Sequence, residues 1–161
     1  MFNTYLMNRM NIFKAILLVL LLACTGGAYA QMIGDPTTWT YEVKKKGADK
    51  YDLVFHLSLK PGWHIWSLHP GGDGLQIAPS FAFTDSATLH RNGKVKETGK
   101  PQVRTMEGID GKVTLFADKV DYVQSVTVKG KVKISGTHLY QVCNETMCLP
   151  PKTKDFVFDI K

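Results

Sequence analysis

The chain has 161 residues and a mass of 18.0 kDa, with 44% hydrophobic and 21% charged residues. That is the composition of one globular domain; it excludes a disordered tail or a collagen-like repeat, and three cysteines are too few for a disulfide-dense miniprotein. A net charge of +6 makes nucleic-acid binding a class to be tested.

The N-terminus reads as an export signal. Arg9 and Lys14 flank the start of an unbroken apolar run, Ala15–Ala23, and Ala28-Tyr29-Ala30 supplies the small-x-small pattern of a signal-peptidase site. The run covers only about half of a ~30 Å hydrocarbon core at about 1.5 Å per residue, too short for a permanent membrane span. Residues 1–30 are therefore expected to be a signal peptide, and 31–161 the mature domain. Leu21-Leu22-Ala23-Cys24 competes as a lipobox; lipidation of Cys24 is the one route to a membrane that the sequence offers. Removal of the leader takes two basic residues and no acid, leaving 18 against 14 and a net charge of +4. The remaining lysines are scattered or alternate along strands, as Lys129, Lys131 and Lys133 do, so a solvated face is expected and nucleic-acid binding is not.

Period-two alternation then runs along the chain. Trp39, Tyr41 and Val43 share one face of a first strand, and Tyr51, Leu53, Phe55, Leu57 and Leu59 share a face of the second, with Asp52, His56 and Ser58 opposite. Shorter strands are expected at 64–67, 80–84 and 113–117, and longer ones at 120–128 and at 131–142, the latter broken at Gly136; Phe156, Phe158 and Ile160 mark a last strand. Turn residues separate them: Pro61-Gly62, His69 to Gly74, Asn92-Gly93 and Asp110-Gly111. No helical period appears after residue 31. Seven to nine short strands predict an all-β, immunoglobulin-like antiparallel β-sandwich in one domain.

Chemistry concentrates in Cys143 and Cys148, a pair expected to be oxidised after export. Two uses stand open: a staple that stiffens a loop, and a redox centre. Closing a loop of about six residues stabilises a fold by roughly 2 kcal/mol, against ~4.7 for a hundred-residue loop, which makes a weak staple. Pro150 and Pro151 donate no backbone N–H, so the ladder must stop just past Cys148 and leave the pair at a strand end that another protein can approach. Glu145 opposes thiolate formation and the loop carries no cation, so activation has to come from neighbours supplied by the fold. His64, His69, His90 and His138 show no ligand spacing with the cysteines, and neither a metal nor another cofactor is expected.

Three features in order make the mature chain resemble the N-terminal periplasmic domain of the thiol:disulfide interchange protein DsbD. They are Gly62-Trp63-His64-Ile65-Trp66-Ser67 after an alternating strand, a Gly-rich stretch with a middle loop around 105–111, and Tyr140-Gln141-Val142-Cys143 through Cys148-Leu149-Pro150-Pro151 before a final strand. The resemblance implies an immunoglobulin-like sandwich carrying one redox disulfide and no cofactor. It implies a periplasmic protein-disulfide reductase that takes electrons from a membrane-linked, thioredoxin-like reductant. The acceptors it implies are periplasmic thioredoxin-fold proteins, a disulfide isomerase or a thioredoxin of cytochrome c biogenesis. By the same resemblance Cys148 would form the mixed disulfide and Cys143 would resolve it. Thr105, Met106, Glu107 and Gly108 would be a cap loop, with Trp63, His64, Trp66, Tyr140 and Glu145 around the sulfurs. The cysteine loop is one residue shorter than in familiar members, Trp63 stands where they have tyrosine, and Met106 where the cap has phenylalanine. With the sequence ending at Lys161, the reductant is expected to be a separate protein. The alternative from another class is a non-catalytic exported binding or adhesion module with a structural loop disulfide.

Overall fold

The alternation seen in the sequence becomes strands almost throughout. A computed structural model describes residues 34–161, so the expected leader and its cleavage or lipidation sites lie outside the described residues. Twelve strands follow: β1 (Thr37–Lys45), β2 (Lys50–Leu59), β3 (His64–Gly71), β4 (Ser80–Phe83), β5 (Leu89–Arg91), β6 (Lys96–Gly99), β7 (Gln102–Thr105), β8 (Lys112–Ala117), β9 (Lys119–Val128), β10 (Val132–Tyr140), β11 (Val142–Cys143) and β12 (Lys152–Ile160). Twelve exceeds the expected seven to nine because β5, β6 and β7 show no period and the two-residue β11 is separate from β10.

All pairing is antiparallel. One sheet runs β1-β2-β9, with β5 and β6 sharing the far edge of β9 end to end. A three-stranded sheet, β12-β10-β4, and a four-stranded one, β11-β3-β8-β7, complete the fold. Leu53, Phe55 and Leu57 of β2 and Val120, Tyr122 and Val126 of β9 meet Ile134, Phe156, Phe158 and Ile160 of the three-stranded sheet and Ile65 and Val142 of the four-stranded one in a single core. Phe55 is its centre, with the rings of Phe81, Phe156, Phe158 and Tyr41 at 4.7, 4.9, 5.1 and 5.7 Å. This is the expected immunoglobulin-like sandwich.

Two chain crossings position the site. Between β8 and β9 the chain changes sheets within one residue, Asp118, whose φ of 84° is the left-handed conformation such a corner demands. Between β10 and β11 it leaves the three-stranded sheet after Tyr140 and joins the four-stranded one at Val142. The expected break at Gly136 does not occur: β10 is continuous through it. A Cβ there would lie 2.1 Å from the Ala82 carbonyl oxygen and 2.5 Å from the Phe156 ring, so glycine permits close strand approach rather than ending the strand.

Candidate functional site

Cys143 is the last residue of β11, opposite His64 of β3. The chain then reverses in a tight turn built by Asn144. Its side-chain oxygen accepts the backbone N–H groups of Thr146 (2.9 Å) and Met147 (2.8 Å), and its own N–H donates to the Met147 carbonyl at 2.9 Å. Cys148 comes back opposite Cys143 and the two are disulfide-bonded, with Cα atoms 3.9 Å apart. Leu149 N–H donates to Val142 O, after which Pro150 and Pro151 end the ladder. The bridge is asymmetric in solvent access: Cys143 is 2% exposed, while Cys148 is exposed beside an exposed Met147.

The four-stranded sheet buries residues on both faces. Ile65, Phe116 and Val142 point into the main core, whereas Trp66, Val113, Leu115 and Cys143 form a second, small cluster. Met106 and Ile109, from the turn joining β7 to β8, pack against that cluster as a cover. The turn closes with Ile109 N–H donating to Met106 O and with Gly108 at φ 78°, a conformation that glycine adopts freely. Arg104, at the base of the cover, donates to Glu145 of the cysteine loop at 3.1 Å. A disulfide with one buried and one exposed residue, under a hairpin held by a surface ion pair, is suited to exchange with an incoming thiolate from the Cys148 side.

The family model described as "Thiol:disulfide interchange protein DsbD, N-terminal" matches residues 30–160. The chain belongs to the DsbD N-terminal domain family. With the Cys143–Cys148 bond, membership makes it a thiol–disulfide exchange domain. Among solved structures it is similar to the N-terminal periplasmic domain of ScsB from Proteus mirabilis, at 17% identity and a TM-score of 0.57 over 79% of this chain. That match spans 47% of the ScsB chain, about half its length. The reduced DsbD N-terminal domain of Neisseria meningitidis is similar at 15% identity and a TM-score of 0.52, over 75% of this chain and 84% of that one. Both likenesses concern the fold. A comparison with curated protein sequences gives no match.

This DsbD-type domain gathers only part of the set anticipated around the sulfurs. Trp66, His64 and Met106 lie on the cysteine side, and Glu145 sits on the loop itself. Thr105, Glu107 and Gly108 are exposed in the cover. Trp63, by contrast, packs against the main core, as Tyr140 does. Tyr140 donates to Asp35 Oδ2 at 2.7 Å, and Thr37 Oγ1 donates to the other oxygen at 2.7 Å. Burial pushes the Asp35 carboxyl up, but the hydrogen bonds from Thr37, Tyr140 and Lys152 outweigh it and hold the pKa at about 2. Tyr140 therefore anchors the start of β1. Arg104, Ile109, Val113 and Leu115 were not anticipated; no spacing in the sequence links Arg104 to a loop 41 residues away. Among the described residues, no three His, Cys, Asp or Glu side chains are grouped to hold a metal ion.

Proposed function

We propose that this domain is exported to the periplasm after loss of residues 1–30 and there passes two electrons between thioredoxin-fold proteins through Cys143 and Cys148. A thiolate of the reductant attacks Cys148, the Cys143–Cys148 bond breaks, and Cys143 leaves with the electron pair. The second thiol of the reductant then displaces Cys148, leaving a dithiol that reduces an acceptor disulfide by the reverse sequence. The acceptors are periplasmic disulfide isomerases or a cytochrome c maturation thioredoxin, and the reductant is a membrane-linked thioredoxin-like domain. The observation that carries the reading is the exposure difference within the bridge: Cys148 faces solvent and Cys143 does not. Family membership and the periplasmic origin of the similar ScsB domain support it.

The test is a Cys143→Ser variant, which keeps Cys148 and removes the resolving sulfur. Incubated with oxidised periplasmic thioredoxin-fold proteins, it is expected to accumulate a mixed disulfide through Cys148 that dithiothreitol releases. Failure to trap any of them would sink the shuttle and favour a structural loop disulfide.

The hairpin that packs against the Cys143 side of the bridge regulates access. An exposed ion pair such as Arg104–Glu145 contributes at most about 1 kcal/mol, so Arg104→Ala should speed reduction of the disulfide by dithiothreitol by up to about fivefold. An unchanged rate in a rapid-quench assay would show that the hairpin does not limit attack.

A further inference from the structure

Directly opposed residues of an antiparallel pair project to the same face, with Cβ atoms about 4.5–5.5 Å apart. His64 and Cys143 are such a pair. Trp66, two residues on in β3 and so on the same face as His64, belongs to the small cluster that contains Cys143, and its ring meets the imidazole edge-on at 5.1 Å. On the other side His64 is opposite Ala117 of β8, which has no polar side-chain atom. The imidazole is only 3% exposed, and its Nε2 has no hydrogen-bond partner among the described residues. A buried ring nitrogen left unpaired is costly to maintain, and most buried polar atoms avoid that state. Cys143, directly across the ladder and on the same face, carries a donor hydrogen only when the disulfide is open.

We propose that His64 is the acid–base group of this disulfide, taking the proton from the Cys143 thiol as that sulfur resolves a mixed disulfide at Cys148. The inference rests on the exchange reading above. In the step, Cys143 S–H gives its proton to neutral His64 and the thiolate attacks Cys148 Sγ. The Cys143–Cys148 bond forms and the bond from Cys148 to the partner sulfur breaks. That sulfur leaves with the electron pair and takes a proton from the imidazolium or from water. In the opposite direction the imidazolium protonates Cys143 as it departs. Burial pushes the His64 pKa down, Glu145 of the cysteine loop pulls it up, and Arg104 of β7 pushes it down; the net lowering keeps the imidazole in its basic form at neutral pH. The polar groups that bear on the ring are thus the cysteine pair, Glu145 and Arg104.

The experiment uses the reduced full domain and the small aromatic disulfide 5,5′-dithiobis(2-nitrobenzoate) as probe, with no protein partner. One thionitrobenzoate is released when a cysteine is capped and a second when the other resolves it, both followed by stopped-flow absorbance from pH 5 to 9. An ordinary thiol of pKa about 8.5 is only about 3% thiolate at pH 7, so losing the base should slow the second release about tenfold in His64→Phe and in His64→Gln. Its pH midpoint should move up toward the ordinary thiol value while the first release is unchanged. An equal second rate and an equal pH profile in both variants would overturn the proposal. A wild-type measurement guards against a folding defect: the NMR titration of His64 should shift downward on reduction of the disulfide, because an S–H donated to the ring nitrogen favours the neutral imidazole, and identical curves in both redox states would also overturn it. A domain that traps no thioredoxin-fold protein but still shows His64-dependent release would refute the partner assignment and leave this inference standing.

Discussion

Gly136→Ala is expected to destabilise the domain by about 3 kcal/mol or more, and Gly136→Val to prevent folding altogether. The added Cβ would stand 2.1 Å from the Ala82 carbonyl oxygen. That oxygen is fixed by the β4–β10 ladder, in which Ala82 is opposite Thr137 and Phe83 opposite Gly136. The Phe156 ring, 2.5 Å away on the other side, is buried in the main core and cannot swing out without opening a cavity. Gly47→Ala is the control, because a Cβ there meets only Lys50 at an ordinary 3.7 Å; its effect should stay within about 0.5 kcal/mol. Urea unfolding at constant m value reads both. A loss below about 1 kcal/mol at Gly136 would mean that β4 can move aside.

The same residue shows why part of the fold was legible and part was not. Leu53, Phe55, Leu57 and Leu59 announce β2 because every second side chain must enter the core, a constraint written locally. Gly136 interrupts that pattern, and a glycine in a strand reads as a weak point. Its actual role depends on Ala82, 54 positions earlier, which local spacing does not reveal. β5 and β6 were invisible for a related reason. Leu89–Arg91 and Lys96–Gly99 are strands because the free edge of β9 takes them as partners, and three or four residues carry no period. β3 runs on to Gly71, past turn-forming residues, because a register shift between Trp66 and Gly71 absorbs the irregularity.

At the candidate site, residue type and spacing were enough to single out the two cysteines. They did not reveal which of the two is shielded. That difference comes from β11 docking beside β3, so that Cys143 becomes part of a sheet while Cys148, across a four-residue turn, stays outside it. The side chains around the pair come from elsewhere in the chain: Arg104 from β7, Met106 and Ile109 from the turn after it, and His64 from β3. Trp63 and Trp66, three residues apart, were expected together at the sulfurs. They diverge because Trp63 precedes the strand and packs on the main core, whereas Trp66 lies on the outer face of β3.

Acid should weaken the fold well above the carboxylate range, and His138 should be the main cause. Its ring is 1% exposed, lies 4.3 Å from Trp39, and shares a 2.9 Å hydrogen bond between Nε2 and the Tyr41 hydroxyl. Burial, with a smaller contribution from Lys154, lowers its pKa from 6.5 to about 4. The unfolded chain therefore binds more protons than the folded one between those two values. Stability is full above about pH 6.5 and falls as pH drops toward 4, by about 3 kcal/mol in total for this residue. His64, also lowered by burial, acts in the same direction. His56 acts oppositely: burial pulls its pKa down, but hydrogen bonds to Asp121 and Glu42 raise it overall, so its contribution is present in acid and lost as pH rises. That site is partly exposed, and screening keeps its effect smaller. Asp35, at about 2, holds its contribution until the pH falls below the ordinary carboxylate value and so leaves this window untouched. His138→Phe keeps the ring packing but removes the proton acceptor. Urea unfolding at pH 7.0, 5.5 and 4.2 should show most of the wild-type slope lost in the variant. A variant with the full wild-type slope would transfer the acid sensitivity to other groups, His64 first among them.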